Sequence, residues 1–304
     1  MKIRKLVGVL LALVVMVSGG GLFYHLTRPA SGATVHRTAA SPKHTKQTIK
    51  PRATATTPQR TLTTRQKARL TQQIKHDMRG VGGRWSVQVT RITQPTVSLK
   101  TGNHAVKRQR AASTIKLYIM LTIFQQHQQG KLPLTATTRQ ALQRMIYNSD
   151  NAAANQLIAT AGGLKSVNRV IRQHHFTQTV LGRHLMDTRA LQRGHDNWTS
   201  VRDLSRFLTL LSQHRLLGKT ADRQMLALLH HCRNHSKLPL RVTRAQVYNK
   251  TGEYPDLGVQ NDAALFKTTS GQKIVIVVLS QGSHAARQYP AMNRLGRDLV
   301  HRLR

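Results

Sequence analysis

Ser113-Thr-Ile-Lys116, STIK, opens an apolar run that continues as LYIMLTIFQQHQ to Gln128. The run reads as a helix, and residues three apart on a helix share a face. Lys116 therefore lies beneath the Ser113 hydroxyl, where a desolvated amine can take its proton. A free serine hydroxyl is a weak nucleophile and needs such a base. The start of a helix also carries partial positive charge, which suits a developing oxyanion. Alone, an S-x-x-K is weak evidence, because it recurs by chance.

Two triplets follow it in order. Ser149-Asp150-Asn151, SDN, falls between two predicted helices, and alone it reads as an N-cap. Lys250-Thr251-Gly252, KTG, lies in the strand-like stretch VYNKTGEYP (Val247–Pro255), and alone it reads as a strand-end turn. The next residue, Glu253, is the only glutamate among 304 residues. S-x-x-K, S-D-N and K-T-G in this order are the motif set of class A β-lactamases and penicillin-binding proteins.

Apolar periodicity places these motifs on elements. Helices are predicted over Arg65–Met78, Ser113–Gln128, Thr137–Tyr147, Asn151–Ala161, Leu164–His174, Val201–Leu217 and Thr220–His231, with a last one over Ala286–Leu303. Strands are predicted over Arg84–Thr93, Ala245–Gly252, Gly258–Phe266 and Lys273–Leu279. An early strand, a helical middle, three late strands and a terminal helix predict a mixed α/β (α+β) domain over residues 65–304. Its antiparallel sheet is flanked by helices, with an all-helical lobe beside it.

Residues 65–304 resemble the penicillin-recognising serine hydrolases, closest to the class A β-lactamase branch. Beyond the motifs, Asp150–Ile171 resembles that branch's helix after SDN. Asn261-Asp262-Ala-Ala-Leu resembles its strand after KTG, and Thr199-Ser200-Val201 its helix start after the omega loop. The resemblance implies that Ser113 is the acylated nucleophile and Lys116 its proton partner. Ser149 would relay a proton to the leaving nitrogen, and Asn151 would bind the substrate amide. Lys250 and Thr251 would hold the substrate's carboxylate, and Gly252 would leave room for substrate along the strand. Glu253 would contribute its backbone N–H to the oxyanion hole, with its side chain facing outward or tuning selectivity.

The chain departs from that pattern in three places. The stretch 183–196 has no glutamate to activate the deacylating water, and Asp187 is the only carboxylate near the right place. Arg183 and Asp196 remain able to pair across the loop base. The short separation of Ser113 from Ser149 predicts a more open cleft, and Gln260 stands where some members carry an arginine. Acylation is expected to be intact and rapid deacylation absent.

The flanking sequence speaks to location. MKIRK precedes Leu6–Tyr24, which is 19 residues without a charge, within the roughly 17–25 of a spanning helix. Residues 1–26 are therefore expected to be an anchor that places the rest outside the membrane. The competing expectation is a signal peptide cleaved after Ser31-Gly32-Ala33, with secretion. Residues 27–64, rich in Thr, Ala, Pro and basic side chains, read as a disordered tether.

With 48 Lys and Arg against 10 acids, the net charge is +38. That charge suits an anionic wall polymer or lipid head groups. Nucleic acid is disfavoured by the export signal and by only 4% aromatics for base stacking. Cys232, in HHCRNH, is the only cysteine and lacks a second Cys or acid nearby, so no metal is expected there. No cofactor is implied, and a monomer is expected. The leading reading is a β-lactam or D-alanyl-peptide acyl-hydrolase, with a D,D-carboxypeptidase as its variant. A non-catalytic module holding anionic wall polymer is the reading from another class.

Overall fold

The computed structural model describes residues 62–94 and 96–304. The expected anchor Leu6–Tyr24 and nearly all of the expected tether lie outside the described residues. Among those described, no helix is long and apolar enough to cross a membrane.

Helix α1 (Thr64–Asp77) starts at a capping box, in which the Thr63 hydroxyl accepts from Gln66 N and Gln66 Oε1 accepts from Thr63 N. Strands β1 (Arg84–Arg91), β2 (Val97–Gly102) and the short β3 (Gln109–Arg110) follow. A 3₁₀ turn, Ala112–Ile115, leads into α2 (Lys116–Gln128). The helical lobe is completed by α3 (Ala136–Tyr147), α4 (Asn151–Thr160), α5 (Gly163–Gln173) and the short α6 (Thr188–Gln192). After β4 (Trp198–Thr199) come α7 (Val201–Ser212) and α8 (Lys219–His230). The chain then returns through β5 (Ala245–Tyr254), β6 (Val259–Thr268) and β7 (Lys273–Gln281) to α9 (Ala285–Leu303).

The main sheet runs β2-β1-β7-β6-β5, antiparallel throughout, with β5 at one edge. Strand β7 shows why it is central. Ile274, Ile276 and Val278 join the core under α1 and α9, while Val275, Val277 and Leu279 join the core of the helical lobe. Side chains alternate faces along a strand, so a strand covered on both sides reads as one continuous apolar run. Helix α2 is enclosed in the same way, with Leu117, Tyr118, Ile119, Met120, Leu121 and Ile123 all fully buried. A helix apolar all round belongs inside. Its N-terminus is thereby fixed against the sheet.

Several elements differ from expectation, and the short β3, β4 and α6 have no predicted counterpart. The helix predicted over Val201–Leu217 stops at Ser212, because His214 takes a left-handed φ of 58° and Asp222 accepts from Leu216 N and Leu217 N. Strand β2 has no predicted counterpart. It is an edge strand in which Val97 alone is buried, so its sequence lacks a clear alternation. Strand β5 runs on to Tyr254, carrying KTG within the strand and not at its end.

Candidate active site

Ser113 sits in the 3₁₀ turn that feeds α2, directly over Lys116. The Lys116 ammonium nitrogen lies 2.9 Å from Ser113 Oγ, 2.5 Å from the Ser149 carbonyl oxygen, 3.2 Å from Ser149 Oγ and 2.8 Å from Asn151 Oδ1. These are four partners for an ammonium with three protons. Either form can satisfy three of them at once; a neutral amine would donate two bonds and accept one, here from the Ser113 hydroxyl. Burial of Lys116, reinforced by the Lys250 ammonium, pulls its pKa down to about 7.

Lys250 reaches the same centre from β5, donating to Ser149 Oγ at 3.0 Å and to the Thr251 carbonyl at 2.9 Å. Its own pKa is lowered, chiefly by burial. The Ser149 hydroxyl thus lies between two amines. Ser149 adopts φ 59° and Ala112, next to Ser113, φ 45°. Left-handed backbone at a non-glycine residue costs on the order of 1–3 kcal/mol and persists only where the surroundings impose it. Both strained residues border the Ser113–Lys116–Ser149 centre.

Gly252 explains how β5 comes so close. A Cβ there would stand 2.9 Å from the Ala111 carbonyl oxygen and 3.0 Å from the amide nitrogens of Ser113 and Thr114. Only glycine lets the strand lie against the turn that bears Ser113. From β6, Asn261 Nδ2 donates to the carbonyls of Arg110 (2.9 Å) and Ala111 (3.1 Å), while its Oδ1 accepts from Ser280 N at 3.1 Å. This side chain ties the segment before Ser113 to the sheet.

The loop spanning 183–196 forms the opposite wall. Arg183 Nε donates to Asp196 Oδ1 at 2.9 Å, Arg110 pairs with the other oxygen, and Asn197 Oδ1 accepts from the amides of Gly182 and Arg183. Asn155, on α4, brackets Leu185 by accepting from its N–H (2.9 Å) and donating to its carbonyl (3.0 Å). Leu185, Met186 and Thr188 thereby line one cleft with Ser113, Asn151 and Glu253. Asp187 is turned to another use, because its Oδ1 accepts from Ala190 N at 2.9 Å and caps α6.

Asp196→Ala removes the partner of two arginines. Breaking a buried pair typically costs about 3–5 kcal/mol, although the part-exposed Arg110 keeps access to water. A melting temperature lowered by roughly 6–12 °C is expected, measured by thermal unfolding against the parent chain.

The structure brings Ser113, Lys116, Ser149, Asn151, Lys250, Thr251, Gly252 and Glu253 into one centre. Of the two expectations for the Glu253 side chain, the outward orientation is not found, since it lines the cleft and pairs with Lys237. Lys237 and Asn155 escaped sequence reading. Lys237 looked like one more cation among 48, and Asn155 sits one helical turn after Asn151 with no motif around it. Cys232 is buried, and burial pushes its thiol pKa up. Among the described residues, no three or more His, Cys, Asp or Glu gather as a metal site.

Comparison with known proteins adds kinship to this geometry. A family model described as the β-lactamase enzyme family matches residues 69–139 and 132–303. No curated protein matches at the sequence level. Among solved structures, a β-lactamase from Sphaerobacter thermophilus aligns with TM-score 0.65 and 20% identity, over 78% of this chain and 97% of that one. One from Xanthomonas campestris aligns with TM-score 0.67 and 21% identity, over 77% and 98%. A mutant of PBP-A, held as an acyl-enzyme complex with penicillin G, aligns with TM-score 0.69 and 20% identity, over 81% and 98%. Likeness at such identity speaks for the fold alone.

Proposed function

Since this chain belongs to the β-lactamase enzyme family, within the penicillin-recognising serine hydrolases, we propose that it forms an acyl-enzyme on Ser113 with β-lactams or with the D-alanyl peptides they mimic. The observation that carries the reading is the position of the Lys116 amine, in contact at once with Ser113, Ser149 and Asn151. As a neutral amine, Lys116 accepts the Ser113 proton while Ser113 Oγ bonds to the substrate carbonyl carbon. The Ser113 and Glu253 backbone N–H groups stabilise the resulting oxyanion. The C–N bond then breaks, and Ser149, held between Lys116 and Lys250, passes a proton to the leaving nitrogen. Asn151 orients the acyl amide, and the open edge of β5 offers backbone groups to an extended substrate.

The second half-reaction, hydrolysis of the ester, has no free carboxylate base on the 183–196 loop. Asp187 caps α6 and Asp196 is bound by two arginines. The acyl-enzyme is therefore long-lived, which suits a penicillin-binding D,D-carboxypeptidase-type enzyme better than a fast β-lactamase. We further propose an extracytoplasmic site of action, with the N-terminal stretch as anchor or signal and the net charge of +38 favouring contact with anionic wall polymer.

Acylation is expected to fall about tenfold per pH unit below the Lys116 pKa of about 7, and to level off above it. The sign follows from the base: protonated below that pH, Lys116 cannot accept the serine proton. Rates of adduct formation with a fluorescent penicillin across pH 5–9 test this. The reading itself is tested by the same reagent on the full chain. A stable adduct mapped to Ser113 supports it, and neither adduct nor turnover would reject it.

A further inference from the structure

Glu253 is the one glutamate of a strongly basic chain, and its carboxylate is surrounded by groups that bind carboxylates. Lys237, from the loop before β5 and with no exposed surface, pairs with Glu253 Oε1. Asn234 Nδ2 donates to the same oxygen at 3.1 Å. That loop is fastened on two sides. Leu238 N donates to Asp262 Oδ2 at 3.1 Å, and Asn249 Nδ2 donates to the Asn234 carbonyl at 3.1 Å.

Thr251 lies two residues back, on the same face of β5. Its hydroxyl is fully buried beside the Glu253 carboxyl and has no other well-formed partner. Across the strand pair, Glu253 faces Gln260, whose Oε1 is likewise buried and unpaired. Burial pushes the Glu253 pKa up, but the charges of Lys237 and Lys250 outweigh it and keep the carboxyl ionised. Glu253 also lines the cleft that holds Ser113. On the acyl-transfer reading, Lys250 and Thr251 are the groups that would receive a substrate carboxylate. In this chain a carboxylate of its own is already there.

We propose that Glu253 is a specificity-determining residue that fills the anionic subsite as an internal counter-ion. The cleft then favours acyl donors with no carboxylate beyond the scissile bond, such as an amidated peptide terminus or an internal peptide bond. This inference rests on the acyl-transfer reading above. Two carboxylates cannot share one set of cations without repulsion, and like charges brought together at an interface discriminate strongly between ligands. Asp256, on the same cleft wall, acts in the same direction. The pairing also gives the buried Lys237 a direct partner, in addition to the nearby charge of Asp262.

The test compares Nα-acyl-D-Ala-D-Ala with its C-terminal amide on the full chain, following release of D-Ala or D-Ala-amide. The parent protein is expected to favour the amide by at least about tenfold in kcat/KM, and Glu253→Gln to compress that ratio to about threefold or less. Because Glu253→Gln leaves Lys237 buried without its partner, the double variant Glu253→Gln/Lys237→Met is measured as well and should show the same compression. A parent protein that prefers the free acid overturns the proposal, as does a ratio untouched in both variants. A fluorescent-penicillin adduct on Ser113 serves as the internal reference. Its presence, with no release from the amide, sinks only this inference. Absence of both adduct and release sinks the acyl-transfer reading with it.

Discussion

Ser113→Ala should abolish the covalent penicillin adduct, and Lys116→Met should slow its formation by about 10²–10⁴-fold, the range for losing a positioned general base. The two variants differ for a physical reason. Without Oγ no bond can form, whereas without the Lys116 amine the hydroxyl is still present and aimed. The Lys116 variant also loses the contacts that hold Ser149 and Asn151, at 2.5, 3.2 and 2.8 Å. Methionine fills much of the same buried volume and needs no hydrogen bonds, so the fold should tolerate it. Intact-mass spectrometry after timed exposure to penicillin measures both variants. Undiminished labelling of the Lys116 variant would move the base to Ser149 or Lys250.

Leu185→Glu carries the second large effect, in the opposite direction. Leu185 is fixed at both backbone atoms by Asn155 and lines the cleft with Ser113. A carboxylate at that position would lie within the field of Lys116 and Lys250, which favours its ionised form. It could then draw a proton from a water approaching the ester. The lifetime of the penicillin adduct should shorten by about 10²-fold or more. Leu185→Gln, of similar shape but without basicity, should leave the lifetime close to that of the parent. Equal lifetimes in the Glu and Gln variants would mean that deacylation is limited elsewhere, such as by access of water.

The parts of the site that were legible in the sequence are those where chemistry dictates both residue and spacing. Ser113 and Lys116 are three apart because one turn must stack them, and Gly252 is glycine because β5 touches the turn. The doubly covered β7 was equally plain, since burial on both faces leaves no polar position in IVIVVL (Ile274–Leu279). What escaped reading depends on contacts distant in sequence. Lys237 becomes a specificity element only where the loop before β5 meets Glu253, and nothing local sets it apart from other lysines. Asp187 could be placed near the cleft from the sequence, but its capping role could not. Its side chain satisfies the first turn of α6, a local demand that outcompetes the cleft. Strand β2 was missed because an edge strand with a single buried residue has little pattern to show.

The low proton affinity of Lys116 depends on the dryness of its surroundings. It is maintained by the close fit of α2, α4 and β5 around one nitrogen, and any loosening that admits water would return the amine toward its ordinary affinity. At neutral pH the base would then be protonated while most of the fold still stood. The amine therefore acts as a hygrometer for the junction between sheet and helical lobe. On gradual heating, reactivity toward penicillin should fade before the circular dichroism signal of the helices, because catalysis registers the first water and unfolding only the last contacts.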